Sequence, residues 1–187
     1  MASNALWVVA ACFNEETVIP RFIERVIALP EVDRLLLIDD GSSDATVTVI
    51  RQWQAQHPNA GVVLLELTRN FGKEAAMLAG LDHVDGECSA AVLIDSDLQH
   101  PPERIPAMVA AWRDGAEVVT AVRDDRDEES RLKVATASWF YRVFNRLVDS
   151  IQLQKGAGDF RLLSAPVVAA ITQMREATRF SKGLMPW

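Results

Sequence analysis

The sequence has 187 residues, of which 49% are hydrophobic and 24% charged, values that indicate an ordinary globular domain with a full core. A net charge of −7 argues against a protein that coats nucleic acid. No apolar run approaches 18 residues and the first residues lack the basic region of a signal peptide, so we expect neither a membrane span nor a leader here. Cys12 and Cys88 fall in or beside apolar runs and predict buried, reduced thiols of a cytosolic protein.

Taken in order, short apolar runs alternate with helical segments. The predicted strands are 6–12, 34–38, 62–67, 90–94 and 117–122, and the predicted helices are about 17–29, 44–56, 74–83 and 102–113. Four strand–helix units in succession predict an α/β fold with a doubly wound, mostly parallel sheet flanked by helices. Small residues around Gly80 predict that the third helix packs closely against the sheet.

Each of the first four predicted strands ends in a polar cluster. The clusters are FNEE at 13–16, DDGSSD at 39–44, TRNFGK at 68–73 and DSDLQ at 95–99. The carboxyl ends of parallel strands meet at one edge of a sheet, where open α/β folds bind ligands. The connectivity therefore predicts one site, suited to a nucleotide or another phosphorylated ligand held by a metal.

The DSDLQ cluster is the strongest candidate for a metal site. If the preceding strand continues, Asp95, Asp97 and Gln99 project to one side and offer oxygen ligands to Mg²⁺ or Mn²⁺. The alternative is a pair of exposed turn aspartates before a helix that starts at Pro102. The apolar run before the cluster and the Gln-x-Pro-Pro after it favour the metal site. No glycine-rich dinucleotide motif follows the first strand and no P-loop is present, which argues against a nicotinamide oxidoreductase or a P-loop NTPase.

Together these motifs resemble those of the inverting family 2 glycosyltransferases of the GT-A fold. Within that family the sequence is most similar to the polyprenyl-phosphate glycosyltransferases, especially the bactoprenol glucosyltransferases. The resemblance covers nearly the whole chain, because the stretches WFYRVFNRL, GDFRLLS and FSKGLMPW follow the four clusters in the same order. It implies a single GT-A domain over 1–187, with a nucleotide-sugar half at about 1–123 and an acceptor-facing, membrane-facing half at about 124–187.

The resemblance implies a metal-dependent hexosyltransferase. It would transfer a sugar, with glucose favoured, from a UDP-sugar to a polyprenyl (undecaprenyl) phosphate in the cytoplasm at the inner face of the cell membrane. Mg²⁺ or Mn²⁺ would bind Asp95, Asp97 and Gln99, and Asp159 with Arg161 would form the catalytic pair. The implied nucleotide-sugar site comprises Ala11, Phe13, Glu15, Asp39, Asp40, Arg69, Asn70, Lys73, Asp95, Ser96 and Arg123.

The sequence departs from the family pattern in three places. Ala11 and Phe13 stand where the family usually has proline and tyrosine, and His100 stands where it often has an acid or asparagine. Family members of this type also continue past Trp187 into a pair of membrane-spanning helices. We therefore expect either a truncated domain or a natural short form.

Residues 131–148 predict a basic amphipathic helix, with an apolar stripe and four Lys or Arg residues. Such a helix can bind an anionic membrane surface. The alternative is a helix packed on the sheet or on another subunit of a homo-oligomer.

Other functions remain open at this point. A different sugar or nucleotide needs only small changes in a pocket, and a sugar-nucleotide-binding domain inactive without its membrane segment has the same motifs. A nucleotidyltransferase shares the fold, but the acidic FNEE cluster argues against a loop that grips a triphosphate.

Overall fold

The structure is a computed structural model that describes residues 5–122 and 157–173. These residues belong mainly to one unit, 1–120 with 159–175, which is described here by itself. The second unit, 121–158 with 176–187, lies almost wholly outside the described residues, as do Arg123 and the basic segment 131–148. The predicted division of the chain into two halves therefore stays a prediction.

The described strands are β1 (Leu6–Cys12), β2 (Arg34–Asp39), β3 (Val62–Glu66), β4 (Ala90–Leu93), β5 (Val118–Val122) and β6 (Ala157–Ser164). The α-helices are α1 (Ile19–Ile27), α2 (Thr46–Gln56), α3 (Lys73–Val84), α4 (Ile105–Arg113) and α5 (Ala165–Gln173), and a 3₁₀ turn (Pro102–Arg104) leads into α4. The five predicted strands and four predicted helices are confirmed within a few residues, whereas β6 and α5 were not predicted. None of the described helices has the length and apolar character needed to cross a bilayer.

The strands form one sheet in the order β3-β2-β1-β4-β6-β5. β1 pairs in parallel with β2 and β4, and β2 pairs in parallel with β3, whereas β6 runs antiparallel to β4. The mostly parallel sheet is therefore confirmed. The chain proceeds from β1 towards β3 on one side and then returns to β4 on the other side of β1. This reversal opens a crevice at the carboxyl ends of β1 and β4, where doubly wound sheets place their ligands.

The core lies on the central strands β1 and β2, whose side chains are almost all buried. Continuous burial is expected where helices cover both faces of a parallel sheet. Helix α1 buries residues at the spacing of one helical face, namely Ile19, Phe22, Ile23 and Val26. The two cysteines are buried and free, as predicted.

Close packing of α3 on the sheet is confirmed at Gly80. A Cβ atom at this position would lie 2.6 Å from Val9 Cγ1 and 2.7 Å from Ile38 Cδ1, closer than carbon atoms approach without repacking. We expect overpacking by Gly80→Ala to lower the free energy of unfolding by about 1–3 kcal/mol. The higher helix propensity of alanine relative to glycine offsets about 1 kcal/mol of this loss. Urea denaturation measures the change.

The exposed Ala75 on the same helix provides the control. Ala75→Gly changes helix propensity alone and should cost about 1 kcal/mol. If Gly80→Ala stabilised the protein, the close approach of α3 to β1 and β2 would be contradicted.

Candidate functional site

The carboxyl ends of β1, β2 and β4 and the start of α3 enclose a cleft of about 270 Å³. Its walls come from all four polar clusters that follow the strands, so their predicted convergence is confirmed. The lining residues are Ala11, Cys12, Phe13, Glu15, Asp40, Asn70, Gly72, Lys73, Asp95, Ser96 and Asp97. Nine of these were predicted site residues; Cys12 and Gly72 were not, because a buried thiol and a glycine carry no chemical signal in a sequence.

The loop after β1 is fixed to the loop after β2 by hydrogen bonds. Asn14 has a left-handed backbone, with φ of 56°. Its N–H donates to Ser42 Oγ at 2.9 Å, and its Oδ1 accepts the Ser43 N–H at 2.9 Å. The Glu15 N–H donates to Thr46 Oγ1 at 2.8 Å. These contacts hold the two acidic loops in one arrangement at the cleft.

Asp40 joins the loop after β2 to the loop after β3. Its carboxylate is buried, and Oδ1 accepts the Phe71 N–H at 2.8 Å while Oδ2 accepts the Gly72 N–H at 2.9 Å. Two backbone donors on one carboxylate make a strong, charge-assisted brace. Asp40 therefore shapes the cleft wall, whichever contact it makes with a ligand.

Asp39 and Arg69 were predicted to bind the nucleotide, but neither lines the cleft. Asp39 is buried, and its Oδ2 accepts the N–H groups of Gly41 and Ser42 at 3.1 and 3.0 Å. The Arg69 guanidinium carbon lies 4.8 Å from the centroid of the Phe71 ring. In this structure Asp39 forms the turn after β2, and Arg69 stacks on an exposed aromatic side chain of the same loop.

The expected geometry of the DSDLQ cluster is wrong in one respect. Strand β4 ends at Leu93, so residues 95–99 do not alternate as a strand. They form a turn in which Leu98 has φ of 62° and the Gln99 N–H donates to Asp97 Oδ1 at 2.9 Å. Asp97 lines the cleft and Gln99 does not. A turn was the alternative considered for these aspartates, and its path was not foreseen because a leucine rarely adopts the left-handed conformation.

The predicted catalytic pair lies in β6. Arg161 is buried and stands in register opposite Leu93 at the end of β4. Asp159 belongs to the same strand, but its side chain, like the whole of Arg123, lies outside the described residues. The sheet thus brings this segment beside the strand that leads into Asp95 and Asp97, while the roles of Asp159, Arg161 and Arg123 stay predictions.

Asp95 lies beside a lysine and a histidine. Lys73 Nζ lies 2.6 Å from Asp95 Oδ1, and His100 Nδ1 lies 3.8 Å from Asp95 Oδ2. The His100 ring packs against Phe160 of β6, with ring centroids 5.7 Å apart. In the sequence His100 stands out only as a departure from the family pattern, although its position one residue after the DSDLQ cluster is a signal for a place beside the carboxylates.

Acidic side chains also line the cleft at Glu15 and Asp97. Burial raises the pKa of the Glu15 carboxyl, and the charges of Asp97 and then Asp44 raise it further. Burial acts on the charged form of the carboxyl itself, whereas the contributions of Asp97 and Asp44 report a negative potential at this wall, which favours a cation. The wall that contains Glu15 and Asp97 is therefore suited to a positively charged ligand.

The described residues contain no group of three His, Cys, Asp or Glu side chains that could hold a metal ion by themselves. What the cleft offers is the pair Asp95 and Asp97. One or two carboxylates, with water and substrate phosphates filling the other positions, is the donor set Mg²⁺ commonly takes at phosphate-processing sites. The residues therefore fit a divalent ion that binds together with a phosphorylated ligand.

Residues 7–171 match the family model described as Glycosyl transferase family 2. A curated relative, the prophage bactoprenol glucosyl transferase homolog of Escherichia coli (strain K12), is 43% identical over 183 residues. The match covers 96% of this chain and 58% of the relative, so the chain spans less than two thirds of that protein's length.

Solved structures of low sequence identity share the fold. A mannosyltransferase from Pyrobaculum calidifontis, in complex with GDP-Man and Mn²⁺, has a TM-score of 0.64 at 20% identity, over 90% of this chain and 47% of that one. A glucosyl-3-phosphoglycerate synthase from Mycobacterium tuberculosis, in complex with Mn²⁺, UDP-glucose and phosphoglyceric acid, has a TM-score of 0.63 at 21% identity, over 88% of this chain and 58% of that one. Both support the GT-A-type architecture predicted from the sequence.

Proposed function

The chain belongs to glycosyltransferase family 2, and from this premise we propose that it binds a UDP-sugar and transfers the hexose, glucose, to a polyprenyl phosphate. The observation that carries the proposal is the cleft, in which the four polar clusters meet at the switch point between β1 and β4. The name of the bactoprenol glucosyl transferase relative supports the choice of sugar and acceptor.

The donor nucleotide would lie along the wall formed by the loops after β1 and β2. Phe13 is 44% exposed at the cleft and presents a ring on which the base can stack. Asp40, already held by two backbone donors, would present its carboxylate to the uracil. Asn70 would complete this part of the site.

Asp95 and Asp97 would hold Mg²⁺ or Mn²⁺ against the donor diphosphate. The ion, when bound, would neutralise the charge that develops on the leaving diphosphate. Ser96 fixes the segment between them, because its Oγ donates to the Ala11 carbonyl at 3.0 Å. Gln99, the third predicted ligand, donates its backbone N–H to Asp97 Oδ1 and does not line the cleft.

The acceptor needs little activation. A phosphate monoester has a second pKa near 6 and is largely dianionic at neutral pH. Its oxygen can attack the sugar C1 while the bond from C1 to the diphosphate breaks. We propose that Asp159 and Arg161 orient the acceptor, with a base role for Asp159 as the alternative, and that Arg123 contacts donor or acceptor phosphates.

We propose that the reaction takes place at the cytoplasmic face of the cell membrane, because the proposed acceptor is a lipid, and that segment 131–148 contacts the lipid surface. Basic amphipathic segments bind anionic membranes more weakly as salt rises. Sedimentation with vesicles of anionic and neutral lipid would test this part independently.

The first test is calorimetric titration of UDP and UDP-glucose with and without Mn²⁺. We expect both to bind, at least tenfold more tightly with the metal, and GDP to bind more weakly as the matched nucleotide. Transfer from UDP-glucose to undecaprenyl phosphate is then measured. Failure of every uridine nucleotide to bind would contradict the proposal, whereas binding without transfer would identify a donor-binding domain that needs the remaining length of its relatives.

A further inference from the structure

The ion pair between Lys73 and Asp95 crosses the cleft at the position proposed for the metal. Lys73 is the first residue of α3, and its Nζ lies 2.6 Å from Asp95 Oδ1. The loop before it is fixed, because the Phe71 and Gly72 N–H groups donate to Asp40. The lysine therefore starts from a fixed backbone and reaches from one wall of the cleft to the other.

The ion pair of Lys73 with Asp95 contributes little to stability. A cation at the first residue of a helix is at the end where the helix dipole is positive, which is unfavourable. The Lys73 side chain is 41% exposed and that of Asp95 is 24% exposed, so solvent screens their attraction. An ion pair that adds little to folding but occupies a predicted metal ligand is better explained by the chemistry of the cleft.

We propose that Lys73 acts as a counterion for Asp95 when the cleft is empty. The divalent cation and the donor together displace Lys73 from this carboxylate. Without a donor, the ammonium neutralises Asp95 and competes with the cation for this carboxylate. When the donor binds, its diphosphate attracts Lys73, whose flexible four-carbon side chain can turn towards it. Asp95 is then open to the cation, so nucleotide and metal bind cooperatively.

The inference rests on the proposed function, because it assumes that Asp95 and Asp97 bind a divalent cation beside a diphosphate. It adds a regulatory role for Lys73: the site takes up its metal when the donor is present. By linkage, UDP should raise the affinity for Mn²⁺ by the same factor as Mn²⁺ raises the affinity for UDP.

The test measures the Mn²⁺ affinity of the full chain by electron paramagnetic resonance of unbound Mn²⁺, with and without UDP. Wild-type protein should bind Mn²⁺ weakly alone and more tightly with UDP. Lys73→Met, which keeps the side-chain length and removes the charge, should bind Mn²⁺ alone about tenfold more tightly, and the enhancement by UDP should shrink by the same factor. Lys73→Arg retains the charge and should remain close to wild type in Mn²⁺ binding without UDP.

Arg51→Met is the matched control. Arg51 forms an exposed ion pair with Glu66, in which a guanidinium nitrogen lies 2.7 Å from Glu66 Oε1, and neither residue lines the cleft. The substitution should leave both Mn²⁺ affinities unchanged. An unchanged or lower Mn²⁺ affinity of nucleotide-free Lys73→Met would overturn the counterion role and leave the metal site standing. No Mn²⁺ binding by the wild-type protein even with UDP would overturn the proposed metal site, and the counterion role with it.

Discussion

Replacing Asp97 with asparagine is expected to abolish metal-dependent binding of UDP while leaving the fold intact. The asparagine keeps a side-chain oxygen that can accept the Gln99 N–H, now made by Asp97 Oδ1 at 2.9 Å, so the turn persists. The substitution removes one of the two carboxylates proposed to hold the cation. Mutation of a group that only hydrogen-bonds to a metal ligand lowers metal affinity about 10–100-fold. Removing the charge of a ligand itself should therefore lower the affinity for Mn²⁺, and with it Mn²⁺-dependent binding of UDP, by about 100-fold or more.

Calorimetry of UDP in the presence of Mn²⁺ measures this loss, and the urea midpoint verifies the fold. Asp82→Asn is the matched control, because Asp82 is exposed near the far end of α3, about 13 Å along the helix axis from Lys73. Its UDP affinity should equal that of the wild type. Retention of full Mn²⁺-dependent affinity by Asp97→Asn would show that the metal site has been assigned to the wrong residue.

Gly41→Ala is expected to have the largest effect on stability, together with loss of UDP binding. Gly41 has φ of 72°, which costs an alanine about 1–2 kcal/mol. A Cβ atom would also lie 2.5 Å from the carbonyl carbon of Arg69 and 2.7 Å from the backbone nitrogen of Asn70. Backbone atoms cannot turn aside as a side chain can, so the two loops must separate. We expect a total loss of about 3 kcal/mol or more.

Gly86→Ala separates the two causes. Gly86 has a similar φ of 78°, but nothing lies within 4 Å of its would-be Cβ, so only the conformational cost of about 1–2 kcal/mol should remain. Urea denaturation of both variants gives the difference, and calorimetry gives their UDP affinities. Equal destabilisation by the two substitutions would contradict a tight contact between the loops after β2 and β3.

The strands could be predicted because they depend on local sequence, and the convergence of their polar ends because it follows from the order of strand–helix units in a parallel sheet. Continuous apolar runs such as Leu6–Cys12 indicate buried parallel strands, and the turn residues that follow them place the clusters at one edge of the sheet. The close contact of α3 was predictable for the same reason, from its small residues. The order of strands and helices was enough to predict that the DSDLQ cluster lies at the ligand-binding edge of the sheet.

The remaining features depend on contacts between distant residues. Nothing near Asp40 indicates that both its oxygens accept N–H groups from residues 71 and 72, and nothing near Lys73 indicates that it pairs with Asp95. Strand β6 was missed because its position is set by pairing with β4 rather than by a strand–helix unit. The left-handed conformation of Leu98 could not be predicted, because nothing in the sequence near a leucine indicates a backbone conformation that disfavours it.

The antiparallel strand β6 determines the order in which the protein can be assembled on the ribosome. β4 pairs with β6 residues about seventy positions further along the chain. At the usual 5–20 residues per second, translation needs roughly 4 to 14 s to supply that partner. During this interval one edge of the apolar strand that precedes Asp95 and Asp97 lacks its native neighbour, and an unpaired strand edge is prone to aggregation. The loop that carries the two aspartates therefore gains its final support late in synthesis.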